Sequence, residues 1–242
     1  MTGFEAAAQV ARDGDPYPQA VVRAGAGVFL AATGGGGGAA QLFPARLLGP
    51  LLDEAWLAVT SSGARGATAL AAFFGRADAA MEGEAGAHLV AATADAGALW
   101  LGNVGLGRAF RVTGAGLEQL SRDDSYLQDF LDGHPSPEEV AAFPYHGIVT
   151  AMLNGRWRQA RPHWRPTRVE LRPGEGLLLA TEVVYASTEP DALARWAAEA
   201  VTAVALEAAA EALFTRARAH SSAPVVFERT AAMVLVRRAP GA

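Results

Sequence analysis

The densest chemistry in the chain is an arginine–tryptophan stretch at 156–168, which holds five Arg and two Trp. A guanidinium fork binds carboxylates and phosphates through paired hydrogen bonds, and Arg and Trp dominate protein hot spots and nucleic-acid stacking. With a formal net charge of -5, the stretch suits a protein partner better than nucleic acid. Arg156, Trp157, Arg158, Arg161, Trp164 and Arg165 are therefore candidates for a partner surface. The plainer alternative is an exposed strand pair with arginines lying along the surface. Upstream, Asp123, Asp124, Asp129, Asp132, Glu138 and Glu139 form an acidic group. It either pairs with those arginines or presents a charged face of its own. Gly34 opens a run of five glycines whose consecutive N–H groups resemble an anion cradle. Without Lys or a G-x-G-x-x-G spacing, the run reads more simply as a flexible turn. The five histidines have no metal-binding spacing, and no Ser sits in a G-x-S-x-G elbow.

Composition removes further chemistries. All 20 basic residues are Arg, so phosphate-loop lysines and Schiff-base enzymes are excluded. The absence of Cys excludes thiol catalysis, disulfides and thiolate metal sites. With 242 residues, 51% hydrophobic and 19% charged, the chain is globular, and it carries no linker that would divide residues 1–242 into separate domains. No leader pattern opens the chain, and no run of about 18 strongly apolar residues occurs. The expectation is a cytoplasmic protein with no membrane and no nucleic acid among its partners.

The elements that must position these residues follow from pattern. Residues 28–32 are a buried strand entering the glycine run, and 47–59 and 67–81 carry helical spacing. Runs at 88–93, 99–104 and 109–112, separated by glycine-bearing turns, predict an antiparallel meander. A short helix is expected within 123–132, capped by Asp123 or Asp124, and one helical turn after Pro137. Residues 168–171 and 177–181 predict a hairpin, 191–218 one long helical stretch, and 225–236 the last strands. Helices outside two antiparallel sheets satisfy that order.

Several segments, in order, resemble the metal-dependent type 2C protein phosphatases (the PPM serine/threonine phosphatases). Leu99-Trp100-Leu101-Gly102-Asn103-Val104-Gly105-Leu106-Gly107-Arg108-Ala109-Phe110 is similar to the family's strand ending in Ala-Asn-Val-Gly-Asp-Ser-Arg-Ala-Tyr. Leu117-Glu118-Gln119-Leu120-Ser121-Arg122-Asp123-Asp124-Ser125 resembles Leu-x-Gln-Leu-Thr-x-Asp-His-Ser. Phe143-Pro144, followed by Val149-Thr150-Ala151-Met152-Leu153-Asn154-Gly155, resembles His-Pro-x-x-Asn-x-Leu-Thr-Arg-Ala-Leu-Gly. Gly174-Glu175-Gly176-Leu177-Leu178-Leu179-Ala180-Thr181-Glu182 resembles Gly-Asp-x-Leu-Leu-Leu-x-Ser-Asp. The order holds over nearly the whole chain. The resemblance implies an α+β fold, a four-layer α-β-β-α sandwich with two antiparallel sheets, and a flap-like segment at about 123–150.

The resemblance also implies two Mg or Mn ions bridged by carboxylates, which activate a water toward a phosphate. The positions that carry those carboxylates differ here. Thr33, followed by Gly34, stands where the family has its bridging Asp, and Leu106 fills the acidic place in Gly-Asp-Ser-Arg. Tyr17, preceded by Pro16, replaces the first Asp, and Asp15 would substitute only after a shift of register. Glu182 and Glu228 stand in the last two acidic places. Arg12 matches the family's phosphate-binding Arg, and either keeps that role or pairs with Asp13, Asp15 or Glu228. A neutral hydroxyl cannot replace a carboxylate between two dications. The chain is thus identified as a degenerate member, a pseudophosphatase with no catalytic residues and no metal cofactor. It would act as a binding or regulatory module for a protein, phosphorylated or not, such as a kinase-pathway component. Two alternatives stay open: a divergent phosphatase holding Mn or Mg weakly through Glu182 and Glu228, and a structural subunit of a larger assembly.

Overall fold

The strand at 28–32 needs cover on both faces. Phe29 and Ala31 point one way, Val28, Leu30 and Ala32 the other, and all five are buried. A sheet of such strands must lie between two layers. The computed structural model describes residues 3–11, 20–25, 27–36, 45–81, 85–145, 148–161, 164–220 and 231–239. In chain order the elements are β1 (Phe4–Val10), β2 (Ala20–Gly25), β3 (Val28–Gly36), α1 (Ala45–Ser61), α2 (Gly66–Ala80), β4 (Ala85–Asp95), β5 (Ala98–Val104), β6 (Arg108–Thr113) and β7 (Gly116–Gln119). They continue with α3 (Tyr126–Leu131), α4 (Pro137–Ala142), α5 (Trp157–Ala160), β8 (Thr167–Val169), β9 (Gly176–Ala180), α6 (Glu182–Ala186), α7 (Pro190–Thr202), α8 (Leu206–Ala219) and β10 (Ala232–Arg238).

Two five-stranded sheets form, in the orders β1-β10-β9-β6-β7 and β2-β3-β4-β5-β8, and every pairing is antiparallel. Between them lies a core of Phe29, Val90, Leu99, Leu177, Leu179 and Val234 among others. Leu48, Leu70, Phe73 and Phe74 of α1 and α2 cover the outer face of the second sheet. Leu193, Trp196, Leu213 and Phe214 of α7 and α8 cover the first. This is the expected α-β-β-α sandwich. Among the described residues, no helix is long and apolar enough to cross a membrane.

Three sequence expectations are corrected. The meander at 88–112 is not one sheet: β5 pairs with β4 and β8, whereas β6 pairs with β7 and β9. The turn Gly105-Leu106-Gly107 carries the chain across. Likewise 168–171 and 177–181 form no hairpin, because β8 belongs to one sheet and β9 to the other. The long helix at 191–218 breaks between Thr202 and Leu206. There Arg237 donates to the carbonyls of Val201 (3.1 Å), Ala203 and Val204 (3.3 Å), and pairs with Glu5 at 2.8 Å. A guanidinium held at a helix end satisfies carbonyls that further helix would have used. Residues 225–230 of the last expected strand lie outside the described residues.

Candidate functional site

Alternation along β3 places Thr33 on the inter-sheet face, the side of Phe29 and Ala31. Thr33 is buried, and its hydroxyl donates to the Gly34 carbonyl at 3.3 Å. Directly across the ladder stands His88 of β4. Its Nδ1 accepts the Leu106 N–H at 3.3 Å. Desolvation pushes the His88 pKa down to about 4, so the ring is neutral at pH 7 and Nδ1 is free to accept. Gly105 packs against the same ring with φ +75°, and a Cβ there would lie 1.9 Å from Nδ1. Only glycine fits that approach.

The Leu106 turn is gripped by two further side chains. The Tyr185 hydroxyl donates to the Leu106 carbonyl at 2.7 Å. The buried Asp124 carboxylate accepts the Gly105 N–H at 2.9 Å and Arg161 at 3.1 Å. Burial lifts the Asp124 pKa to about 6, against the pull of Arg161 and the Gly105 N–H. Arg161 also donates to the Asn103 carbonyl at 3.0 Å. Its neighbour Asp123, also buried, takes a bidentate fork from Arg108 with a closest contact of 2.6 Å. The Arg108 guanidinium lies 4.2 Å over the Tyr185 ring. Glu182 opens α6 and the residue as a whole is exposed. Desolvation of its carboxylate and the like charge of Asp123 nevertheless push its pKa up, while Arg108 opposes.

Thr33, Gly34, Leu106 and Glu182 therefore gather around the end of the sandwich where the chain crosses sheets. Arg12, Tyr17 and Glu228 lie outside the described residues. The described side chains do not fit two bridged dications. Thr33 offers one neutral oxygen and Leu106 none. Asp123 and Asp124 are already bound to arginines. No three His, Asp or Glu among the described residues converge to hold a metal. The glycine run holds no anion cradle over its first three members, because Gly34, Gly35 and Gly36 continue β3 and pair with Ala87, Gly86 and Ala85. The remaining two glycines lie outside the described residues.

Other candidates are redistributed. The segment 156–168 is not a strand pair. Trp157 is 2% exposed and packs against Phe74 and Trp164 with ring centroids 5.4 and 4.9 Å away. It is core rather than surface. Asp78, inside the alanine-rich α2, accepts the backbone N–H groups of Asn154 (3.1 Å), Gly155 (3.0 Å) and Trp157 (3.2 Å) and so anchors α5. Arg161 is tied to Asp124, leaving Arg156, Arg158 and Arg165 exposed with no carboxylate partner among the described residues. In the flap-like segment, Ser125 rather than an Asp caps α3, accepting from Gln128 N–H at 3.1 Å. Asp129 and Asp132 both bind Arg122, so most of the acidic group is paired internally. A bridge between Ser125 and Val149 closes the flap at its base, and Phe130 stacks on Phe143 at 4.5 Å.

The sequence motifs do not mark His88, Asp78 or Tyr185, whereas Arg108 stands at the Arg of the segment that resembles Gly-Asp-Ser-Arg. Asp78 carried a signal in being one charge on the buried side of an apolar helix. His88 and Tyr185 carried none, since their partners lie far away in the chain.

No protein-family model and no curated protein matches the chain. Solved structures do. The serine/threonine phosphatase PstP/Ppp of Mycobacterium tuberculosis superposes with a TM-score of 0.68 at 21% identity, covering 96% of this chain and 97% of that one. The chain has the type 2C serine/threonine phosphatase fold. The PstP catalytic domain in complex with two manganese ions aligns equally, at TM-score 0.68 and 22% identity over 96% of both chains. The S. agalactiae serine/threonine phosphatase gives a TM-score of 0.67 at 15% identity, over 98% of this chain and 100% of that one.

Proposed function

We propose that the chain is a type 2C phosphatase-like binding module that has lost two-metal hydrolysis. It acts in the cytoplasm by occupying a protein partner, either a phosphoprotein or another kinase-pathway component. The observation that carries this reading is Thr33. It occupies the place that resembles the family's bridging Asp, buried on the inter-sheet face beside a neutral His88. Nearby Asp123 and Asp124 do not compensate, because Arg108 and Arg161 already neutralise them. Two dications at such a place would keep an uncompensated positive charge. The PstP domain, which was solved with two manganese ions, shares the fold and supplies the contrast.

A protein partner is supported by the flap. Its Tyr126, Tyr145 and Ile148 are 51%, 53% and 44% exposed, and they sit together around the closure at its base. Clustered half-exposed apolar groups suit a protein contact. The deciding experiment is Mn calorimetry with hydrolysis of p-nitrophenyl phosphate followed in parallel. The expected result at millimolar Mn is no saturable heat and no turnover. Tight Mn binding with turnover that disappears in Glu182→Ala would overturn the reading and assign a divergent ligand set around Glu182 and Glu228.

A further inference from the structure

Five donor-bearing side chains of the arginine–tryptophan stretch meet at one cavity. It measures ≈ 320 Å³ and is lined by Trp157, Arg158, Arg161, Trp164 and Arg165. Two of its guanidinium groups are held in place without a carboxylate partner among the described residues. Arg158 lies flat over Gly75 of α2, where an added Cβ would come within 2.5 Å of the guanidinium, and donates to the Ala71 carbonyl at 3.5 Å. Arg165 donates to the Trp164 carbonyl at 2.8 Å. Each guanidinium has five N–H donors, so most remain unused. The Trp157 ring lines the cavity, while its indole N–H is closed off from solvent and meets no acceptor among the described residues.

The lining carries no Asp or Glu. The cavity is cationic, rich in donors and walled by two indoles. One carboxylate is satisfied by one fork, whereas two forks match a group with several acceptor oxygens and a double charge. We propose that this cavity binds a phosphate monoester or inorganic phosphate, with Arg158 and Arg165 as its forks and the Trp157 and Trp164 rings as its walls. The site adjoins the degenerate metal site through Arg161, which lines the cavity and binds Asp124, but it opens on a different face. Trp157 belongs to the core on the outer face of its sheet, whereas Thr33 faces the other sheet. The proposal does not depend on whether the chain hydrolyses phosphate.

The test is an NMR titration of the ¹⁵N-labelled full chain at constant ionic strength in chloride. The additions are inorganic phosphate, a phosphoserine peptide and the same peptide unphosphorylated. Five Trp give five indole signals, and Trp157→Phe, or contacts to Phe74 where that variant does not fold, assigns one of them. The expected result is a saturable shift of the Trp157 indole signal with phosphate or with the phosphopeptide. Arg158→Ala and Arg165→Ala should each weaken it about tenfold, while Arg156→Ala, which lies outside the lining, leaves it within about twofold. A tighter response to the phosphopeptide assigns a partner's side chain as the source, and a response to phosphate alone assigns the free ion. An unmoved Trp157 signal, an equal response to the unphosphorylated peptide, or binding unaffected by both arginine variants would overturn the proposal.

Discussion

Adjacent aspartates in this chain meet different fates. Asp123 receives a bidentate fork, and its Arg108 partner is itself partly buried, at 29% side-chain exposure. Removing one member of a desolvated pair strands the other charge. Arg108→Ala should therefore cost roughly 2–4 kcal/mol in urea unfolding, and Arg108→Lys should recover only part, because an ammonium cannot form the fork. Asp124 has a single contact from Arg161 and is desolvated by burial. Its carboxyl, followed by carbon-detected NMR, should titrate near pH 6, and a midpoint in the ordinary carboxylate range would refute the account. Because the folded chain binds this proton more tightly than the unfolded chain, its contribution grows as pH falls from about 6. It is lost as pH rises through that value. His88 works in the opposite direction. The unfolded ring protonates near 6.5 and the folded ring only near 4, so stability present above 6.5 is lost on acidification across that window. Unfolding measured from pH 7 to 4 should show wild type losing stability relative to His88→Gln.

At the scale of elements, local chemistry and distant contacts divide the work. The flap helix α4 is locally specified. Ser136 and Glu139 form a reciprocal capping box, with Ser136 N–H to Glu139 at 2.8 Å and Glu139 N–H to Ser136 at 3.3 Å. Ser136→Ala should cost about 1 kcal/mol within that helix. Hydrogen exchange would then quicken at 137–142 while global unfolding barely moves, since α4 buries no residue. The helix α5 is the reverse case. Four residues cannot hold a helix by propensity, and Asp78 holds it through three backbone N–H groups. Asp78→Ala leaves these donors unmet and should cost about 2–3 kcal/mol, with a changed Trp157 fluorescence as the local readout.

The whole molecule rests on three cores, one between the sheets and one beneath each helix pair. Leu179 is 0% exposed within the central core, so Leu179→Ala should destabilise by about 2–5 kcal/mol. Leu57, 66% exposed on α1, should tolerate Ala within about 0.5 kcal/mol. Chemical denaturation of the two variants checks whether the inter-sheet layer carries the stability. Its integrity also matters for the site, because Thr33, His88 and the Leu106 turn lie at the end of that layer.

The sequence alone determined the strands and helices that are periodic within themselves, such as β3, α1 and α2. It also determined which side chains are chemically present. Thr33 is a hydroxyl and Leu106 a hydrocarbon whatever surrounds them, so the departure from the phosphatase ligand set could be read before any coordinates. Tertiary structure decided what each buried face meets. Strands buried on both sides carry no label for their sheet, so the crossing at Gly105 and the parting of β8 from β9 were invisible to alternation. The alanine-rich run through 191–218 has no Gly or Pro to end a helix; the β-branched Val201, Thr202 and Val204 weaken it where it breaks, and Arg237, brought in from the last strand, binds the carbonyls freed there. Arg161 and Asp124 are 37 residues apart. Their pairing turned a supposed surface arginine into a part-buried contact, and the burial of Trp157 turned a surface aromatic into core. Periodicity reports that a residue is covered, whereas its partner depends on contacts that only the closed chain creates.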